Sequence, residues 1–510
     1  MSKGKTWLEK VIPLDRPEYA KQPEALLTDL IWRSKGSSLS EIKLPRESSS
    51  DDDLSRLVRL VPEQINSSKK EKLIETKPFA KDVDVSSLVL NPSGSFSLVK
   101  AVLNSLIAPK SRGDKSYAFV PLYPDITAFQ TLHGLVNKGG PPDLARVIEK
   151  MGWLGGADAE GCVAYMLLTV MEPSSKPGDG FTGFLDYLLP EISRQTWNKL
   201  TSEYSGHSFP ENWPGVRPQE IDVSGGPSII AQSHKITPFH WFWKKWSTLC
   251  NPQNRWYKVL PARRFTDWAT CLLRTGLAFS YLWEANFLVM LHNCISEEYK
   301  FRQQNLMGER MALSAFTRML TSGAALATIE SPRIPASQKH AWNALGNMLA
   351  RGYLIRHELE NLPEEDSILQ DVGSFVSSWI SSLPMDDLQK LSTPPPIDSN
   401  TAPNLRDFVR NLLRPRATDD DTQDQADFYY LARSNSRSFW FQPGPEWFVV
   451  VTSLLSLHPG GKCTLEMLLD DLHMLGLHVE RWILVEMLEE AGLSTDSPDA
   501  DNALVITSGF

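Results

Sequence analysis

Residues 241–274 read WFWKKWSTLCNPQNRWYKVLPARRFTDWATCLLR, a stretch that combines aromatic rings with basic side chains. Five of the chain's 16 tryptophans lie in it, and its seven lysines and arginines face a single carboxylate, Asp267. Asn251-Pro252 begins a turn, and residues 262–294 then form a predicted long helix whose apolar positions cover most of its circumference. A helix of that kind is buried on nearly all sides. This stretch therefore predicts a helical fold.

The rest of the chain agrees with a mainly α fold class, because few segments alternate apolar and polar residues with a period of two. Further helices are predicted after Pro141-Pro142-Asp143 as far as Gly155-Gly156, at about 160–170, and at 182–204, 308–328, 336–350 and 366–383; a short strand is predicted at 117–123. The predicted organisation is a polar, partly flexible N-terminal segment (1–80), a helical body (81–392), a Pro-rich and acidic linker with a short helix (393–427) and a C-terminal module (428–510).

The C-terminal module has a readable order of elements. An apolar segment, 447–457, is followed by Thr464 as the N-cap of a helix that stops at Gly476. A third helix covers 479–491, with Gly492 at its end, and a short strand follows at 503–506. This order resembles a winged-helix domain over roughly the last 65 residues of the chain. The expected fold is thus a multi-domain helical body with a winged-helix-like α+β module.

The third helix of that module, VERWILVEMLEEA, is acidic. In winged-helix DNA readers the corresponding helix enters the major groove between phosphates. Here Glu480, Glu486, Glu489 and Glu490 outnumber Arg481. Carboxylates beside phosphates are mutually repelled. The resemblance therefore favours a module that docks a protein or serves the fold over one that binds the DNA groove, which stays open as the alternative.

Charge and cysteine content limit the function classes. The net charge of −9 repels a polyanion, so any nucleic-acid role needs a local basic patch. The five cysteines are scattered without a CxxC pair, and no spacing is typical of a zinc site, so we expect no metal, no cofactor and a reducing cytoplasmic location. The N-terminus has no apolar signal region and no apolar run is long enough to span a bilayer, so we expect no membrane association.

Familiar catalytic motifs are not recognisable in the sequence. Gly460-Gly461-Lys462-Cys463-Thr464 has Ser456 where a phosphate loop needs glycine, and Cys463 where it needs Ser or Thr. His473 and His478, like His234 and His240, do not have the spacing that places two rings on one helical face. No catalytic residue is predicted, and the absence of these motifs favours a protein that is not an enzyme.

Two interpretations of residues 241–274 remain open. Cations interleaved with flat rings suit a nucleic acid, but a helical core with snorkelling basic stems has the same pattern. The arginines at the start of the long helix oppose the helix dipole, so each needs an anionic partner, either a carboxylate or a phosphate. The candidate nucleic-acid-binding residues are Lys244, Lys245, Arg255, Lys258, Arg263, Arg264, Arg274, Trp246 and Trp256.

The function that these observations favour is a non-catalytic accessory or scaffold subunit of a cytoplasmic complex that works on nucleic acid. Prokaryotic DNA maintenance and phage defence are processes in which such helical subunits occur. The expected partners are other protein subunits, together with DNA or RNA at residues 241–274. The alternative is an enzyme that acts on nucleotides or nucleic acid, with its site in the helical body.

Overall fold

The computed structural model describes residues 7–12, 14, 26–27, 30, 144–158, 162–171, 228–330, 339–360, 371–397, 401–415, 428–493 and 505–510. The helices in this part of the chain are α1 Trp7–Val11, α2 Leu144–Leu154, α3 Cys162–Met171, α4 Ile229–Ser233, α5 Pro238–Leu249, α6 Trp256–Val259, α7 Ala262–Gln304, α8 Met311–Ser322, α9 Trp342–Leu359, α10 Val372–Ser382, α11 Met385–Ser392, α12 Thr401–Leu413, α13 Pro445–Leu455, α14 Leu465–Leu475 and α15 Arg481–Glu490. The strands are β1 Ala327–Thr328, β2 His340–Ala341, β3 Ala432–Ser434, β4 Ser438–Phe441, β5 Lys462–Thr464, β6 Leu477–His478 and β7 Val505–Thr507. The predicted mainly helical class is confirmed over these residues.

Helix α7 organises the fold. It contains 43 residues and is therefore about 65 Å long at 1.5 Å per residue. It runs past the predicted end near residue 294 to Asn305, which has a left-handed backbone conformation and closes the helix. The added turns are held by Arg302, which pairs with Glu298 at 2.7 Å and donates to the Leu383 carbonyl at 2.8 Å.

Other helices surround α7, as its buried apolar circumference requires. The helices that contact α7 include α5, α8, α9, α11 and α12. Two glycines allow neighbouring helices to lie close to α7: a Cβ at Gly276 would lie 2.8 Å from the Phe242 ring of α5, and a Cβ at Gly352 of α9 would lie 2.8 Å from the Ala285 backbone of α7. Larger side chains at these positions would force the helices apart.

Three short sheets join segments that are distant in sequence. Strands β1 and β6 are parallel, with Ala327 opposite Leu477. The antiparallel order β2-β4-β3 places His340 opposite Phe439. Strands β5 and β7 are antiparallel, with Cys463 opposite Ile506. Two of these sheets therefore connect the chain before residue 360 to the chain after residue 428.

The C-terminal segment has the order α13-β5-α14-β6-α15-β7. Its predicted local signals are confirmed: the Thr464 hydroxyl accepts from the Met467 amide at 3.2 Å, and α14 ends at Gly476 with φ 90°. The segment shares one continuous hydrophobic core with α1, α5 and α7. The domain boundary near residue 428 stays a prediction, but this segment is packed into the helical body rather than lying apart from it.

The remaining predicted elements differ mainly at their ends. Helix α2 stops at Gly155-Gly156 as predicted. The segment predicted as a helix at 308–328 is the shorter α8 followed by β1. The predicted linker contains α12, which starts at Thr401 and buries a full apolar face. The strand predicted at 117–123, the helix predicted at 182–204 and most of the predicted N-terminal segment 1–80 lie outside the described residues.

Candidate functional site

Helix α5 carries the first half of the basic-aromatic stretch. The Thr237 hydroxyl caps it by accepting from the His240 amide at 3.2 Å, and Pro238 occupies its first turn. The helix lies between α7 and the C-terminal α14. Both sides of the helix are therefore covered, and Trp241 and Trp246 are fully buried.

Lys245 is fully buried with an internal anion as its partner. Its Nζ lies 3.0 Å from Asp471 Oδ1 and donates to the Val451 carbonyl at 3.3 Å. Asp471 also accepts from the indole nitrogen of Trp241 at 2.8 Å. Desolvation by burial lowers the pKa of Lys245, and the attraction of Asp471 offsets only part of that effect. This lysine ties α5 to α14.

Arg274 is likewise part of the core. Its guanidinium donates to the Leu412 carbonyl at 2.8 Å and the Arg414 carbonyl at 2.6 Å. These carbonyls lie at the end of α12, where helical carbonyls have no partner within the helix. Arg274 therefore caps α12 from the neighbouring helix.

The two candidate tryptophans are buried as well. The Trp246 indole donates to the Val163 carbonyl at 3.0 Å, and the Trp256 indole donates to the Leu457 carbonyl at 3.0 Å. Trp256 also packs against Trp268, with ring centroids 5.4 Å apart. Neither ring is presented to a base in this structure.

The other five candidates lie nearer the surface. Arg263 pairs with Asp267 at 3.0 Å, and Arg264 pairs with Glu446 at 2.7 Å. Carboxylates thus supply the anionic partners that arginines at a helix N-terminus need. The exposed cations of the stretch also include Lys244, Arg255 and Lys258.

The structure divides the predicted patch into a buried part and a surface part. Four of its nine residues belong to the core, because their polar groups are used by partners from distant parts of the chain: Lys245, Arg274, Trp246 and Trp256. Whether the five surface residues contact nucleic acid stays a prediction. Asp471 could not be recognised from the sequence as the partner of Lys245, since 226 positions separate the two residues.

Helix α15 presents a different surface. Trp482 is 61 % exposed, and among the described residues it is the one tryptophan that counts as exposed. Glu480, Glu489 and Glu490 are also exposed, and the one arginine of the helix, Arg481, forms an ion pair with Glu466 of α14. The outer side of α15 therefore combines a large aromatic ring with uncompensated negative charge.

A polar groove lies between α8 and α10. It has a volume of about 490 Å³, and its lining includes His234, Asp371, Thr317 and Ser377. The His234 ring is buried, and neither nitrogen has a hydrogen-bond partner in the described structure; the Leu320 backbone lies near the ring, outside hydrogen-bonding geometry. Desolvation lowers the pKa of His234, and Asp371 offsets part of this effect. The sequence analysis considered His234 only together with His240, and the spacing of these two histidines does not suit a metal site.

No group of three His, Cys, Asp or Glu residues in the described part of the chain has the arrangement of a metal site. Within the same ranges, no helix combines the length and apolar character needed to cross a membrane.

Comparison with known proteins gives no match at any of three levels: protein-family models, curated proteins and solved structures.

Proposed function

We propose that this protein is a non-catalytic accessory or scaffold subunit that binds partner proteins through the outer side of α15, within a complex that works on nucleic acid. The observation that carries this proposal is the exposure of Trp482. A tryptophan held 61 % exposed on an ordered helix leaves a large apolar ring in water. Tryptophan is among the residues most enriched at the energetic centres of protein interfaces.

The charge around Trp482 specifies the kind of partner. Exposed glutamates lie at both ends of the helix, Glu480 before it and Glu489 and Glu490 in its last turn, and Glu466 neutralises Arg481. A basic protein surface complements this side, whereas a phosphate backbone is repelled by it. The proposed partner is therefore a protein with a basic docking segment.

The order of elements supports a winged-helix-like module in this role. Helix α13, strand β5, helices α14 and α15 and strand β7 follow one another, and β5 pairs with β7 in antiparallel orientation. In such a module α15 occupies the position of the helix that reads the DNA groove. Its acidic side favours use of the same exposed position for a protein.

Affinity purification of tagged full-length protein from its source cells tests this function. Trp482→Ala should remove a set of copurifying proteins that Met311→Ala retains, since Met311 is exposed on α8, outside the α15 surface. Glu489→Lys should remove the same set, because it inverts the charge beside the ring. Identical sets for wild type and all three variants would refute partner docking through α15.

A second candidate function is nucleic-acid binding by the surface cations of the original stretch. Lys244, Arg255 and Lys258 are all exposed, so a ligand can reach them without any change in the fold. Five cations at most contribute, because Lys245 and Arg274 are used inside the protein.

The salt dependence of binding separates this candidate from the first. If Lys244 contacts a phosphate of duplex DNA, Lys244→Ala should reduce the slope of log K against log salt by about 0.9. Lys390, which is exposed on α11 and lies outside the stretch, provides the matched control in Lys390→Ala. Equal slopes for Lys244→Ala and wild type would remove Lys244 from the candidate surface.

A further inference from the structure

The β2-β4-β3 sheet has one buried face and one outer face. Successive side chains of a strand point to opposite faces, and residues directly opposite each other in an antiparallel pair share a face. Ala432, Phe439 and Phe441 are buried and belong to the face that joins the core. The register pairs Arg433 with Trp440, so these two residues lie together on the outer face.

A lysine continues this row of residues across the sheet. Since His340 pairs with Phe439, the same register places Lys339, the residue before β2, opposite Trp440. The Lys339 Nζ lies 4.4 Å from the centroid of the Trp440 ring. Neighbouring strands are about 4.8 Å apart, so Lys339 and Arg433 belong to chain segments roughly 10 Å apart with Trp440 between them. We call this row of Lys339, Trp440 and Arg433 the β4 face.

Positive charge on and beside the β4 face has no counterpart among the described residues. Arg433 is exposed, and its Nε donates to the Tyr430 hydroxyl at 3.0 Å, which orients the guanidinium. Arg437, in the turn between β3 and β4, is exposed as well. Within the part of the chain that the structure describes, Lys339, Arg433 and Arg437 form no ion pair. The face therefore attracts an anion, although the whole chain has a net charge of −9.

We propose that the β4 face binds single-stranded nucleic acid, with a base stacked on Trp440 and phosphates on Lys339 and Arg433. Single strands are bound by aromatic rings on which bases stack, combined with cations that follow the backbone. Aromatic residues on the face of a sheet bind RNA in the same way. An acidic protein segment would satisfy the cations alone and would make no use of a flat ring between them.

The Trp440 ring is held in place but covered only lightly. Its indole nitrogen donates to the Gln442 side chain at 3.0 Å, and the ring is partly exposed. The group over the ring is the ammonium of Lys339, which has a flexible stem and can move from the ring to a phosphate. The β4 face shares no residue with the α15 surface or the 241–274 stretch, so the proposal depends on neither.

Fluorescence polarisation with full-length protein and labelled oligothymidylate or oligouridylate of about 20 nucleotides, long enough to cross a single-strand site, tests the proposal. Binding of either oligonucleotide is expected. Trp440→Leu keeps the apolar bulk but removes the flat ring, and it should weaken binding at least about five-fold, as expected for the loss of one base stack. Trp440→Phe keeps a ring and should bind within about two-fold of wild type.

Charge variants test the phosphate contacts separately. Lys339→Gln and Arg433→Gln should each reduce the slope of log K against log salt by about 0.7, the value for one phosphate of a single strand. Arg318, which is exposed on α8 and is not part of the sheet, provides the matched control. Arg318→Gln should leave the slope unchanged. These three variants keep the test decisive even if Trp440→Leu lowers the melting temperature.

Four results would overturn the proposal. The first is no binding of either oligonucleotide to wild-type protein at about 50 mM salt, where phosphate contacts are strong. The second is equal binding to Trp440→Leu and Trp440→Phe. The third is weaker binding to Lys244→Ala with unchanged binding to Lys339→Gln and Arg433→Gln, which would place the nucleic acid on the 241–274 stretch. The fourth is equally tight, Trp440-dependent binding of a labelled peptide of residues 417–427, which contains five aspartates; the β4 face would then belong to an acidic protein segment.

Discussion

Replacing Lys245 with methionine tests whether the basic residues of α5 serve the fold or a ligand. In the structure the substitution removes the ion-pair partner of Asp471, whose carboxylate then keeps only the Trp241 indole as a hydrogen-bond donor. Removing one member of a buried ion pair costs about 3–5 kcal/mol, because the other charge is left buried and uncompensated. We therefore expect Lys245→Met to lower the free energy of unfolding by about that amount.

The neighbouring lysine provides the control. Lys244 is exposed on the same helix, so Lys244→Met should change the free energy of unfolding by no more than about 0.5 kcal/mol. The double variant Lys245→Met with Asp471→Leu replaces both charges by apolar groups. It should recover most of the lost stability, since an apolar pair of similar volume often matches a buried ion pair.

Urea unfolding of the full-length variants, followed by tryptophan fluorescence and far-UV circular dichroism, measures these differences. Agreement of the two probes shows whether one transition describes the loss of the core. Equal stability of Lys245→Met and Lys244→Met would refute the reasoning, because it would mean that Lys245 is not held inside the protein. Lys245 would then return to the set of cations available to a polyanion.

Three further outcomes are expected. Burial raises the pKa of the Cys463 thiol to about 11 and that of the Cys294 thiol to about 12, so the native protein should resist iodoacetamide at pH 8. Both folded pKa values exceed the unfolded value of about 8.5. The stability that these thiols contribute is therefore complete below the unfolded pKa and is lost as the pH rises towards 11. Rapid native labelling counted by mass spectrometry would contradict this. His234→Phe should leave the melting temperature equal or higher, because it removes two buried nitrogens without partners; a clear decrease would show that the ring has a polar partner. Protease cleavage within 416–427 should leave the two fragments together in gel filtration, since β2 pairs with β4 and the core is continuous, and elution of a separate C-terminal fragment would instead support an independent module.

Local signals in the sequence predicted local structure well. Thr464 and Gly476 fix both ends of α14 through contacts within a few residues, so their roles follow from residue type alone. The apolar circumference of α7 likewise predicted its burial. The end of α7 was predicted too early, because the turns after residue 294 are held by Arg302, whose carbonyl partners come from residues 380–383.

The candidate patch could not be resolved from sequence for the same physical reason. A buried lysine and an exposed lysine are identical letters, and Lys244 and Lys245 differ only in which side of α5 meets α14. The acidic side of α15, by contrast, was recognisable from its four glutamates.

The pairing of α5 with α14 also has a consequence for synthesis of the chain. At about 5–20 residues per second, the 226 residues from Lys245 to Asp471 take roughly 11–45 s to translate. During that interval Trp241 and Lys245 have been made while their shared carboxylate has not, and β1 lacks β6. The nascent helical body therefore exposes an incomplete apolar surface until α14 and β6 have left the ribosome, and exposed apolar surface of this kind is prone to aggregation.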